Sequence, residues 1–345
     1  MAEKKRGAQS VLLQNRPRVL SFASMAGPKE AEGPLAGTFD ETFTDDTLGE
    51  KSWERGEAKM LEHTVDLALS KARVYADAVD AFLGGDLLNQ IVSASYTARQ
   101  LGAPFLGLYG ACSTMAESLL LGALLVDGGY ADRVVCATCS HFATAERQYR
   151  FPLELGNQRT PTAQWTVTGA GATLLGRGEA KGLPLRLTAA TIGRVVDRQQ
   201  TDINNMGAAM APAAASTLLH YFADTHTEPQ EFDCIYTGDL GQVGSSLLRE
   251  LLAAEGLLVK NHVDCGCILF DAAEQQVKSG GSGPGCCAAV LCGHILPRLL
   301  RRSQKRVLFV ATGALMSQTT FLQKESIPAV AHLVELRAPE KESGA

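Results

Sequence analysis

The chain has 345 residues, 46% hydrophobic and 20% charged, which allows a large buried core and excludes a disordered or fibrous chain. A formal net charge of −5 makes no general case for nucleic-acid binding, and nine cysteines fit free thiols in a reducing compartment better than a disulfide framework. The start, Met1-Ala-Glu-Lys-Lys-Arg6, has no apolar signal-peptide core, and no segment reaches the ~20 apolar residues of a membrane span. The expectation is an intracellular protein, with any membrane contact made through partners or a surface patch.

In chain order, Arg18 to Phe22 reads as a first strand and Gly27 to Leu35 as a loop rich in Gly and Pro. The acidic run Asp40 to Asp46 lacks the glycine and ligand spacing of a calcium loop, so it reads as solvated surface. From Ser52 to Tyr75, Met60, Leu61, Val65, Leu67, Ala68 and Ala72 recur at helical spacing. Strands then alternate with helices: strand Val79 to Leu83, helix Leu88 to Leu101, strand Phe105 to Tyr109, helix Cys112 to Val126, and strands Arg133 to Ala137 and Ala172 to Leu175. This alternation predicts helices packed on a mostly parallel sheet.

The stretch around Cys112 carries the most chemistry. Apolar Phe105, Leu106, Leu108 and Tyr109 lead into Gly110-Ala111, a sharp turn, after which Cys112 opens a helix. A thiol there meets backbone N–H groups and the positive end of the helix dipole, so the expectation is a lowered pKa that favours thiolate. Such a turn presents a nucleophile, although a small packing residue would also suit it. Cys136-Ala-Thr-Cys139, Cys265-Gly-Cys267 and Cys286-Cys287 make a poor zinc pattern, because Val134 to Ala137 reads as a buried strand; no metal and no cofactor are expected.

The chain also repeats itself. Val79-Asp80 through Gly85-Asp86-Leu87 matches Phe232-Asp233 through Gly238-Asp239-Leu240, each an apolar strand ending in Gly-Asp-Leu before a helix. Gly110-Ala-Cys112 has a weaker echo in Gly280 to Cys287. Two matched turns in one order predict a duplicated α/β unit, with an N-terminal half at 1–178 and a C-terminal half at 179–345.

A duplicated α/β unit with a cysteine at the first strand-to-helix turn resembles the thiolase-like superfamily of thiolases and β-ketoacyl synthases, which implies a five-layered α-β-α-β-α architecture. A narrower resemblance rests on Ala26-Gly-Pro-Lys-Glu-Ala-Glu-Gly-Pro-Leu35, Gly49-Glu-Lys-Ser-Trp53, Gly85-Asp-Leu-Leu-Asn-Gln90, Gly110-Ala-Cys-Ser-Thr114, Ser140-His141 through Gln148, Thr166 to Gly171, Met210 to Ala214 and Ala311 to Leu315. These blocks resemble the stage V sporulation protein AD family. The resemblance implies a subunit that binds dipicolinic acid, or its calcium chelate, and supports its movement through the spore inner membrane. It further implies a peripheral place on that membrane, membrane-embedded proteins of the same sporulation operon as partners, and a homodimer, for which the strand Arg133 to Ala137 and the loop from Cys139 to Phe151 are the expected contributors.

A condensing enzyme of this fold needs two further groups from its second half, a His and a His or Asn, to stabilise an enolate and an oxyanion. Their places here read Thr237-Gly238-Asp239-Leu240 and Ser279-Gly280-Gly281-Ser282, with neither. The expectation is a non-catalytic binding pocket formed by Cys112, His141, Met206, Gly238, Asp239 and Gly281. Met206 matches a pocket-wall methionine of the synthases. His141 is a carboxylate donor or else a loop histidine bonded to backbone. Arg147, Arg150 and Arg159 pair with ligand carboxylates or serve a surface. A condensing or acyl-transfer enzyme using Cys112, and a scaffold with a vestigial pocket, stay open beside this reading.

Overall fold

Along Val134 to Cys139 successive side chains point to opposite faces of a strand, and both faces are buried. Val134 and Cys136 enter one apolar cluster, Val135, Ala137 and Cys139 another. The same alternation recurs in the second half, where Val307, Phe309 and Ala311 face one way and Leu308 and Val310 the other. A strand buried on both faces must be covered by helices on both sides, and this requirement sets the layers.

The computed structural model describes residues 2–149, 159–177 and 184–338. In the first half, strands Arg18–Ala26, Gly169–Gly176, Arg133–Ser140, Ala81–Gly85 and Phe105–Gly107 lie side by side in that order. In the second, Arg186–Thr191, Ala329–Arg337, Arg306–Ala314, Cys234–Thr237 and His262–Asp264 repeat the order and the mixture of parallel and antiparallel pairs. The Gly-Asp-Leu turns end equivalent strands, so the repeat seen in sequence is a repeat in space. The expected boundary at 178/179 falls on residues 178–183, outside the described residues.

Helices Thr114–Asp127 and Pro284–Val290 lie between the two sheets. The first is apolar all round, as a helix buried on every side must be. Its Gly122 allows the close approach, since a Cβ there would stand 2.7 Å from the Cys136 Sγ. Outside the first sheet lie Trp53–Ala72, capped by the Ser52 hydroxyl, and Val92–Leu101; outside the second lie Met206–Thr225, capped by Asn205, and Gly241–Ala254. The result is the expected α-β-α-β-α stack, but the sheets are mixed where a mostly parallel sheet was expected, because Gly169–Gly176 and Ala329–Arg337 each run antiparallel to both neighbours. Several elements differ at their ends from the sequence reading. The helix expected from Leu88 begins at Val92, because Leu87 to Ile91 form a loop pinned by the Asp86 carboxylate, which accepts the N–H groups of Leu88 and Ala94.

The expected dimer strand needs a correction. Arg133–Ser140 is interior, hydrogen-bonded on both sides, and cannot extend a sheet across a two-fold axis. The free edge of the first sheet is Phe105–Gly107, where Leu106 is half exposed.

Candidate functional site

The C-terminal ends of the parallel strands converge where the halves meet, which is where open α/β sheets place their ligands. After Phe105–Gly107 the chain turns at Gly110-Ala111, and Ala111 adopts a φ of 49°, a conformation that side-chain-bearing residues rarely take. A 3₁₀ turn, Ala111–Ser113, carries Cys112 before the α-helix begins at Thr114. From the second half, Asp239 follows Cys234–Thr237 and Ser282-Gly283 precedes Pro284–Val290.

The thiol is not poised as thiolate. Cys112 is 8% exposed, and burial, with the Asp239 carboxyl beside it as a second cause, pushes its pKa well above the ordinary value. The Gly283 N–H acts in the opposite direction and is outweighed. The expectation from the helix dipole fails because desolvation and a neighbouring acid exceed a terminal dipole effect. Asp239 itself is fully buried: one oxygen accepts the Gly283 N–H at 2.8 Å, the other the Thr312 hydroxyl at 3.0 Å. Burial pushes its pKa up to about 7, against these hydrogen bonds and one from Cys112. Asp239 therefore backs the thiol.

Cys112 opens onto an inner cavity of about 60 Å³ with Leu87, Met206, Met210 and Met316 as apolar walls and Glu146, Tyr149, Thr166 and Ser282 as polar ones. Leu87, Ala111, Tyr149, Ala314 and Met316 also line an open groove of about 920 Å³, so the inner cavity continues outward into the larger space. Among the described residues that line the inner cavity there is no histidine, asparagine, lysine or arginine. Glu146 is buried against Arg159 at 2.9 Å and accepts the Thr166 hydroxyl, while Arg159 lies over the stacked rings of Phe142 and Trp165. Arg147, on the groove, pairs with Glu54. Arg150 lies outside the described residues.

The expected site residues divide. Cys112 and Met206 line the cavity, with Asp239 behind the thiol. Gly238 packs against Ala311 and Cys287, where a Cβ would sit 3.1 Å from the Ala311 Cα. Gly281 faces Val167, Phe270 and Cys286 inside the protein, and the neighbouring Ser282 takes the cavity wall. His141 stands apart: its Nε2 bonds the Asp46 carbonyl at 2.8 Å and its Nδ1 accepts the Ala143 N–H. Glu146 and Tyr149 went unread in the sequence. They share a face of helix Phe142–Tyr149 with Ala145, and the i, i+3/i+4 spacing from Phe142 would have marked that face. All nine cysteines are free, and the described residues contain no group of three or more His, Cys, Asp or Glu able to hold a metal. No described helix is long and apolar enough to cross a membrane.

Buried acids make the fold sensitive to pH. Burial is the largest cause in each case, holding Asp86 and Asp264 at about 6, Asp239 and Glu30 at about 7, and Glu57 at about 8. Unfolded, these groups titrate near pH 4, so the folded state binds more protons above that pH. Their contribution to stability is complete below about pH 4 and is lost as pH rises through about 6 to 8. His262 and His332, held down at about 4 by burial, act oppositely: their contribution is present above about pH 6.5 and is lost as pH falls through 4. The melting temperature should therefore fall from about pH 5 to about pH 8 and change little above that, with Glu57→Gln reducing the fall. Calorimetry from pH 5 to 9 checks this, and a melting temperature at pH 9 equal to that at pH 6 would contradict it.

A sequence profile of the stage V sporulation protein AD family matches residues 7–337. The chain belongs to the stage V sporulation protein AD family. It is 44% identical over 327 residues to stage V sporulation protein AD of Bacillus subtilis (strain 168), covering 94% of this chain and 96% of that one. As a member of the family it is a sporulation protein. Solved structures of Xanthomonas campestris OleA share its thiolase-like fold. A histidine-to-asparagine variant superposes with a TM-score of 0.62 at 13% identity over 94% of this chain and 99% of that one. A cysteine-to-alanine variant gives 0.63 at 13% over 94% and 98%. In the stage V sporulation protein AD family member, then, a thiolase-like elbow presents a protonated thiol backed by a carboxyl group, at the end of an apolar cavity walled by three methionines.

Proposed function

We propose that the Cys112 cavity and its groove bind dipicolinic acid or its calcium chelate without chemical change. The protein would act as a peripheral subunit at the spore inner membrane, with membrane-embedded proteins of the same operon, in dipicolinate uptake during sporulation and its release in germination. The observation that carries the non-catalytic reading is Asp239. Where a condensing enzyme needs a base beside its cysteine, this chain buries the thiol and places a carboxyl against it, and burial first and Asp239 second keep it protonated.

The ligand reading rests on family membership and on the cavity's chemistry. A pyridine dicarboxylate is larger than about 60 Å³, so one end enters beside Cys112 and the ring lies among Leu87, Met206 and Met316 toward the groove. The helix that begins at Thr114, two residues after Cys112, offers the positive end of its dipole for a carboxylate. Among the described residues, Arg159 and Arg147 beside the site are already paired with Glu146 and Glu54. That charge balance suits the neutral calcium chelate better than the free dianion. Calorimetric titration of the full chain with dipicolinate, with and without calcium, tests the reading. Saturable binding supports it, and no heat in either condition removes it.

The likeness to OleA gives the competing reading, acyl transfer through Cys112. Acyl-CoA turnover that disappears in Cys112→Ser would establish that instead. The homodimer belongs to the same proposal, now through the free edge Phe105–Gly107 with Leu106 and Tyr109 exposed beside it. Light scattering should give twice the chain mass at micromolar concentration and the single mass for Leu106→Asp. A wild-type monomer would count against it.

A further inference from the structure

The end of the molecule opposite the cavity is strongly basic, although the whole chain carries −5. Arg306 pairs in register with Arg337, Arg337 with Arg186, and Arg186 with Arg18. Arg18 in turn pairs with Gly176, and Gly176 with Arg133. Five arginines therefore follow one another in register across six strands, three in the second sheet and two in the first, the sheets being joined here through the single Arg186–Arg18 pair. They occupy the first or last positions of their strands, at the end away from Cys112, which follows the opposite strand ends. The turn entering Arg306 adds Arg301 and Lys305, both exposed, and half-buried Arg298.

Carboxylates balance part of this charge, and Asp80 and Asp233 accept the backbone N–H groups of Arg133 and of Lys305 and Arg306 at the same end. Arg306 and Arg337 share buried Glu335, Arg306 also reaches Glu231, and Arg177 pairs with Asp132. Arg133, Arg186, Arg298, Arg301 and Lys305 form no ion pair with the described residues. Like charges at directly paired strand positions destabilise a sheet, so folding alone gives no reason for the row. None of these residues lines the inner cavity or the groove. Tyr130, 83% exposed beside Asp132 and Arg133, adds an amphipathic ring of the kind that sits at headgroup level.

We propose that this arginine-rich end docks on an anionic lipid surface, its guanidinium groups bound to headgroup phosphates. Guanidinium suits phosphate because it is always charged and presents paired donors. Several cations on one face sum to useful affinity for anionic lipid at low salt. The cavity mouth then faces away from the lipid. This surface bears on the membrane placement proposed above and is independent of what the cavity binds.

The test is flotation of the full chain with vesicles of phosphatidylcholine alone or mixed with phosphatidylglycerol, at low and high salt and without dipicolinate. The wild type should float only with phosphatidylglycerol and should release as salt rises. The triple variant Arg298→Glu/Arg301→Glu/Lys305→Glu, with an unchanged melting temperature, should bind at least tenfold more weakly. The reversal Arg198→Glu/Lys324→Glu, at exposed residues near the opposite strand end where Val196 bridges Ala329, should bind like wild type. Should the triple variant unfold, charge-neutral Arg301→Gln/Lys305→Gln replaces it, with at least a threefold loss expected. Absence of wild-type flotation, equal flotation with neutral vesicles, or equal losses in both sets of variants would overturn the proposal. So would binding of a DNA oligonucleotide, sensitive to the triple variant, without any binding to vesicles. Because no ligand enters the assay, its failure is separable from failure of the dipicolinate titration.

Discussion

Cys112→Trp should abolish dipicolinate binding, lowering affinity by more than about a hundredfold while the protein still folds. An indole exceeds the inner cavity of about 60 Å³, so it must fill that space and project toward the groove across Leu87 and Tyr149. Overfilling a packed site costs about 1–3 kcal/mol, which a chain of this size with three apolar clusters tolerates. Cys112→Ser is the matched control. It keeps a small side chain on the same 3₁₀ turn and the same neighbouring N–H groups, so its affinity should stay within about tenfold of wild type. Calorimetric titration of both variants beside their melting curves checks the pair. Full binding by a folded tryptophan variant would move the ligand away from this cavity.

Asp239→Asn should make Cys112 more reactive without making an enzyme. The acid raises the thiol pKa by its charge and by its hydrogen bond, both secondary to burial. Asparagine is nearly the same shape and its amide oxygen can still accept from Gly283 or Thr312, so the change removes mainly the charge. Each unit of lowered pKa raises the thiolate fraction about tenfold. Iodoacetamide labelling of Cys112, followed by peptide mass at pH 8, should accelerate relative to wild type. Burial remains, so labelling stays slower than for a free thiol. Acyl-CoA turnover should stay absent, because no histidine lines the cavity among the described residues. An unchanged labelling rate would mean that Asp239 does not control the thiol. The same substitution should raise the melting temperature at pH 9 relative to pH 6, since Asp239 is one of the acids whose buried ionisation weakens the fold.

Much of the fold was legible in the sequence because its signals are local and repeated. Hydrophobic runs of strand length marked the inner strands, helical spacing from Met60 to Ala72 marked the outer helix, and the two Gly-Asp-Leu turns marked the duplication. The ends of elements were less legible. Nothing local says that Asp86 folds back to accept Leu88 and Ala94, which delays the following helix to Val92. Strand order was not legible either. Arg133–Ser140 looks like any apolar strand, and only its hydrogen bonds on both sides exclude it from a dimer edge.

The site separates along the same line. The sequence by itself determined that a cysteine sits at a strand-to-helix turn and that no histidine follows the matching turn of the second half, because both are statements about residue type and chain order. It also identified the family, through blocks spread over nearly the whole chain. Only the tertiary structure decided the state of the thiol. Asp239 lies 127 positions from Cys112 in the chain, and the joining of the two halves buries its carboxyl beside the sulfur. Tertiary structure likewise withdrew His141 and Gly281 from the cavity and put Ser282, Glu146 and Tyr149 there. The physical reason is that desolvation and charge pairing depend on what surrounds a group in space, and those neighbours come from segments far apart in the chain.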